Sequence, residues 1–187
     1  MKKLFKALAT ISALSIIAST PIFLSAKPAN ALGSRVLAQA KENAEFYYNR
    51  GVLRASSGDI KGGIEDLNQA LKINPNYAQA YNSRGVFRAS SGDIKGGIED
   101  LNQALKINPN YAEAYNNRGF LRASSGDIKG AIEDYNQALK INPNFAEAYY
   151  NRGILRASSG DIKGATEDLN QALKINPNLV PINFKLE

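Results

Sequence analysis

Residues 51–76 read GVLRASSGDIKGGIEDLNQALKINPN, and residues 85–110 repeat them with one change, Leu53 becoming Phe87. Residues 119–144 and 153–178 carry the same text with a few more changes. The four copies stand 34 residues apart. A fixed period between about 20 and 50 residues marks a solenoid or other repeat array. Each unit of such an array buries a face it cannot cover alone, and the stack presents an extended binding surface. Aligned on its proline, the unit runs 44–77, 78–111, 112–145 and 146–179.

Each unit divides into two helical halves. In the second half, Ile60, Ile64, Leu67 and Leu71 fall on one stripe of an amphipathic helix. Gly58 breaks the chain before it, and Asp59 supplies a carboxylate to cap its first turn. Asn74-Pro75-Asn76 ends it, because the residue before a proline is pushed out of the α region. This predicts a helix over about 59–72. The first half, about 44–57, is less apolar. It keeps Tyr47, Tyr81, Tyr115 and Tyr149, with Gly51, Gly85, Gly119 and Gly153 four residues on. Glycine costs a helix about 1 kcal/mol relative to alanine. Its recurrence there predicts that another helix passes very close.

These residues resemble the tetratricopeptide repeat family, whose unit has this period. The aromatic position is Tyr47 and the glycine is Gly51. The later small–large–small core reads Gly63, Leu67 and Ala70 in the first unit and Ala131, Tyr135 and Ala138 in the third, and the proline is Pro75, Pro109, Pro143 or Pro177. The resemblance implies an all-α, right-handed superhelical solenoid of four helix-turn-helix repeats. Two positions depart from it. The usual Leu before the glycine is Arg50, Arg84, Arg118 or Arg152, and the Tyr three after it is Arg54, Arg88, Arg122 or Arg156. A charge at a packed position needs a partner to offset its desolvation. Asp66, Asp100, Asp134 and Asp168, on the facing side of the second helix, are the expected partners of Arg50, Arg84, Arg118 and Arg152. The competing reading makes the arginines a rail for a polyanion or an envelope polysaccharide.

The resemblance also implies a ligand groove on the inner face of the first helices. That face carries Glu45, Tyr48, Asn49, Val52, Ala55 and Ser56 in the first unit, and Asn82, Ser83 and Val86 in the second. In the third it carries Glu113, Asn116, Asn117, Phe120, Ala123 and Ser124, and in the fourth Tyr150, Asn151 and Ile154. The expected surface has an acidic edge, a row of amides able to grip a peptide backbone with donor and acceptor, and an apolar row. Family members that clamp a C-terminal carboxylate do so with Lys and Arg, which these positions lack. The expected partner is therefore a protein or peptide of another kind. Self-association of the array through its C-terminal end is the structural alternative.

The chain has no His and no Cys. The commonest general base and two metal-ligand types are missing, and no disulfide framework exists. The Glu65-Asp66 pair recurs in every unit on a helix, which marks structure rather than glycoside chemistry. The reading is a non-enzymatic scaffold with no cofactor and no metal.

Residues 1–31 differ in kind from the rest. Lys2, Lys3 and Lys6 precede a stretch, 7–26, without charge, and Ala29-Asn30-Ala31 has the form of a cleavage site. This is the layout of a secretory signal peptide. It predicts export to a periplasm, thylakoid lumen or extracellular space. The alternative is a membrane anchor formed by residues 7–26, just long enough to span. The formal charge of +6 rests on 23 basic against 17 acidic residues. Removing Lys2, Lys3, Lys6 and Lys27 leaves 19 against 17. The basic excess therefore comes mostly from the export signal, and a nucleic-acid partner is not indicated. Residues 32–43 are expected to extend the first helix back toward Ser34. After the last unit, Pro177 and Pro181 deny residues 180–187 a regular helix. Leu179, Val180, Ile182 and Phe184 are expected to fold back over the last helix. Sequencing the N-terminus of the native protein should find Leu32; a start at Met1 in a membrane fraction would establish the anchor instead.

Overall fold

The computed structural model describes residues 43–179. Residues 1–31, read from the sequence as an export signal, most of the 32–43 segment and the 180–187 tail lie outside the described residues. The described residues contain eight α-helices and no strand. They are α1 (Ala44–Ser56), α2 (Ile60–Ile73), α3 (Ala78–Ser90), α4 (Ile94–Ile107), α5 (Ala112–Ser124), α6 (Ile128–Ile141), α7 (Ala146–Ser158) and α8 (Ile162–Ile175). They form an all-α solenoid of helix pairs. The described chain divides at Asn108 into two units, one holding α1–α4 and the other α5–α8. Within each, consecutive helices pack together.

The turn inside a repeat is a Schellman motif. Asp59 N–H donates to the Arg54 carbonyl at 2.9 Å and Gly58 N–H to the Ala55 carbonyl at 3.0 Å. Gly58 sits at φ +98°, a left-handed conformation that a Cβ disfavours. Asp59 then caps α2, its Oδ1 accepting from Gly62 N–H at 2.9 Å. At the other end, Asn74 is extended at φ −126°, as the following Pro75 requires. Its side chain accepts from Asn76 N–H at 3.0 Å and shapes the turn into the next repeat.

The start of α1 differs from the expected extension. Asn43 is extended, at φ −99° and ψ 130°, and its side chain accepts from Glu45 N–H at 2.9 Å. That geometry is a helix N-cap, so α1 begins at Ala44 and does not run back through Asn43.

The core lies between paired helices. In the first unit Leu67, Leu71, Ala70, Ala55, Ala80 and Phe87 cluster, flanked by Tyr47, Ile60 and Ile64. In the second, Tyr135 takes the place of Leu67 and packs with Ala123, Ala131 and Leu155. The glycine of the first helix makes this packing tight. A Cβ on Gly51 would stand 2.9 Å from the Gly63 carbonyl oxygen, and one on Gly85 2.8 Å from that of Gly97. In α5–α8 the facing residue is alanine, and its carbonyl oxygen would stand 3.1 Å from a Cβ on Gly119 and 3.2 Å from one on Gly153. The nearest atoms there are side-chain ones, the Tyr135 ring at 2.9 Å and Leu169 Cγ at 3.0 Å, so the backbone approach is tightest at Gly85.

Gly85→Ala should therefore lower stability by about 1–3 kcal/mol through overpacking, although alanine is the better helix former. Gly153→Ala should cost less. Urea denaturation of the two variants checks the order; equal or greater loss at Gly153 would contradict the packing argument.

Candidate functional site

Both arginine ladders end on carboxylates. Arg50 Nε donates to one oxygen of Asp66 at 2.7 Å while Nη2 donates to the other. This is the two-pronged geometry that a planar guanidinium offers a carboxylate. Arg84–Asp100, Arg118–Asp134 and Arg152–Asp168 repeat it, with Nε to oxygen at 2.8, 2.9 and 2.8 Å. Each guanidinium also lies over the tyrosine ring three residues earlier. The centroid distances are 5.1 Å to Tyr47, 5.4 Å to Tyr81, 5.4 Å to Tyr115 and 5.6 Å to Tyr149. A cation over an aromatic face at this range is attracted to it. Carboxylate on one side and ring on the other let an arginine occupy a position where the family places leucine.

The second ladder uses the same acceptor. Arg54 and Arg88 pair with Asp59 and Asp93 at 2.7 Å, and reach Asp66 and Asp100 at 3.4 and 3.3 Å. In α5–α8 the balance reverses. Arg122 and Arg156 approach Asp134 and Asp168 at 3.0 and 2.9 Å, while Asp127 and Asp161 stand back at 3.7 and 3.6 Å. Each buried carboxylate thus serves two arginines. Burial opposes ionisation of Asp66, but the hydrogen bond and charge of Arg50, joined by those of Arg54, hold its carboxyl below the ordinary range. The Asp59 and Asp93 carboxyls are lowered mainly by the capped N–H of Gly62 and Gly96, then by Arg54 and Arg88.

Sequence reasoning did not anticipate a link between repeats. Arg84 Nη1 donates to Asn68 of the preceding repeat at 2.7 Å, and Arg152 Nη1 to Asn136 at 2.6 Å. Asn68 recurs as Asn102, Asn136 and Asn170, always two residues after the aspartate. That constant offset was the available signal.

The inner face of the first helices is the second candidate surface. In the α1–α4 unit, Glu45 and Asn49 are exposed, and Tyr48, Val52 and Val86 are half-buried. Tyr48 leans on Tyr77, ring centroids 5.0 Å apart. Burial, then Tyr48 and Glu45, push the Tyr77 phenol up. Asn82 and Ser83 are buried. In the α5–α8 unit, Phe120 is half-buried and packs on buried Tyr150 and Ile154. Asn116, Asn117 and Asn151 are buried. Asn151 Nδ2 donates to Asn116 Oδ1 at 3.0 Å. The amide row expected to face a ligand is thus mostly turned inward, where a buried amide must find a partner; of the four-repeat row only Asn49 is exposed. The serines at the far edge, Ser90 and Ser124, donate to the Val86 and Phe120 carbonyls of their own helices at 3.0 and 2.9 Å. What faces outward in the α1–α4 unit is Glu45, with Val52 and Val86 half-open; in the α5–α8 unit it is Glu113, with Phe120 half-open. Among the described residues no acidic cluster suits a metal ion, and no helix is long and apolar enough to cross a membrane.

Two family models match. The TPR repeat model matches residues 53–89, 88–124 and 121–160, and the tetratricopeptide repeat model matches 146–179. No curated protein matches in sequence. Among solved structures, that of MamA is similar with a TM-score of 0.68 and 26% identity, over 77% of this chain and 84% of that one. TTC0263, a thermophilic TPR protein of Thermus thermophilus, has a TM-score of 0.64 and 20% identity, over 72% and 75%. The first TPR of Spaghetti (RPAP3), solved bound to the HSP90 peptide SRMEEVD, has a TM-score of 0.61 and 20% identity, over 64% and 94%. The last two are similar in fold.

Replacing Asp66 by Asn tests the shared acceptor. At neutral pH the variant should lose about 2 kcal/mol, the scale of hydrogen bonds to a charged group. Because the folded pKa of Asp66 is depressed, its contribution is fully present above the unfolded value of about 4 and is lost as pH falls through the folded value. The gap between wild type and Asp66→Asn should stay constant from about pH 7 to 5 and close in stronger acid. Chemical denaturation across pH measures it; a gap that is absent, or independent of pH, would remove the carboxylate from its assigned role.

Proposed function

The chain belongs to the tetratricopeptide repeat family, and on that premise we propose that it is a non-enzymatic scaffold binding a protein or peptide across its first helices. One observation carries this reading: the half-open apolar side chains Val52 and Val86 stand in a row beside exposed Glu45. The same pattern recurs at Phe120 beside Glu113. Apolar residues left half-open on a rigid helix pair, rimmed by polar ones, are the mark of a contact surface. In RPAP3 the same fold holds a peptide. The chemistry here selects a different ligand. The edge is acidic, and the nearest arginines are engaged by aspartates. A segment with apolar anchors and a basic residue fits; an acidic C-terminal peptide does not. The same engagement weighs against a polyanion rail. Export, with residues 1–31 removed, completes the proposal; such a scaffold would work outside the cytoplasm on envelope or lumenal partners.

The test is photo-crosslinking from position 52 in cells that make the protein, followed by identification of the adducts. One or a few protein adducts should form and disappear in Val86→Asp, with the melting temperature unchanged. Adducts that persist in Val86→Asp, or crosslinks only to solvent, would overturn the assignment.

A further inference from the structure

The two ends of the array carry complementary halves of one contact. Between repeats inside a unit, the contact has an apolar part and a polar part. The apolar part buries Phe87 of α3 with Leu71 of α2 in one cluster. In the other unit, Leu155 of α7 is buried with Tyr135 of α6, and Leu139 of α6 with Phe145 and Ala148. The polar part is Arg84 Nη1 donating to Asn68, and Arg152 Nη1 donating to Asn136.

At the N-terminal end the first-helix half of this contact stands open. Leu53, in register with Phe87 and Leu155, is 67% exposed where those are 8% and 5% exposed. Arg50 uses Nε and Nη2 on Asp66, and its side chain is 42% exposed against 19% for Arg84 and 14% for Arg152. At the C-terminal end the second-helix half stands open. Leu173, in register with Leu71 and Leu139, is 38% exposed where both of those are 7% exposed. Asn170, in register with Asn68 and Asn136, is also exposed. Each end lacks what the other end offers, leucine for leucine and amide oxygen for guanidinium.

We propose that a second copy of this chain docks head to tail, with α1 of one copy on α8 of the next through Leu53, Leu173, Arg50 and Asn170. The contact is heterologous, because the two surfaces differ, so it extends into a series of copies rather than stopping at a symmetric dimer. Phe46 sets its strength. It stands where Ala80 and Ala148 lie fully buried in the inner junctions. Its bulk must turn aside for the second copy, which keeps the contact weaker than the one between repeats.

The experiment is sedimentation velocity over a range of concentrations, on the chain as its own cell processes it. Wild type should show a mass that rises in steps with concentration, and Phe46→Ala should shift the steps to lower concentration. Leu53→Glu and Leu173→Glu each change an exposed side chain, so both should melt like wild type. Each alone should lose association by about tenfold or more, the worth of one leucine's burial. Mixed together, they should form a one-to-one pair and nothing larger, since one live head meets one live tail. A wild type of single mass at every concentration, or a mixture that stays monomeric, would overturn the proposal. So would association that appears only after residues 180–187 are deleted, since the tail would then be the occupant of α8.

Discussion

In each repeat one buried carboxylate, Asp66 or its equivalent, receives two arginines from the facing helix, and most of the local structure answers to that need. A carboxylate that is 3% exposed, as Asp66 is, must have its charge met in place. Arg50 meets it with two parallel bonds and Arg54 or its equivalents with a third. The adjacent glycine belongs to the same arrangement. A Cβ on Gly51 would stand 3.1 Å from the Cβ of Asp66, so bare backbone is what lets the carboxylate come near. The tyrosine ring lies under a face of the guanidinium while the carboxylate takes its edge. Arginine, glycine, tyrosine and aspartate thus form one unit, and a change to one would strand the others.

The same guanidinium also sets how repeats stack. Its remaining nitrogen reaches an asparagine of the preceding repeat, as Arg84 does to Asn68 and Arg152 to Asn136. A hydrogen bond has direction and reach, which apolar contact lacks, so the polar link fixes the register that the leucines hold by area. In α5–α8 the buried amides of Asn116 and Asn151 add a second tie on the inner side. Repeats of near-identical sequence need such directional marks, since their apolar faces alone are interchangeable.

These internal uses decide what the surface has left to offer. Arginines held by aspartates contribute little net field for an anion. Amides turned inward do not grip a peptide backbone. The outward chemistry reduces to carboxylates such as Glu45 and Glu113 and half-open apolar side chains such as Val52, Val86 and Phe120. Binding at that face draws on apolar burial, with charge selecting the partner.

The helix pairs, their turns and their core were legible in the chain because those features depend on neighbours three, four or seven residues away. The Ile60–Leu71 stripe, Gly58, the Asp59 cap and Pro75 act within a turn or two of themselves. The pairing of Arg50 with Asp66 was legible too, because a charge at a packed position admits few partners. The direction of the asparagines was not. Asn49 faces solvent while Asn151 is buried against Asn116, although the repeat places both on the same side of a first helix. Only the presence or absence of a packed neighbouring repeat separates them, and sequence spacing does not carry that. The openness of Leu53 beside the burial of Phe87 has the same origin: an identical position is core or surface according to what tertiary packing sets against it.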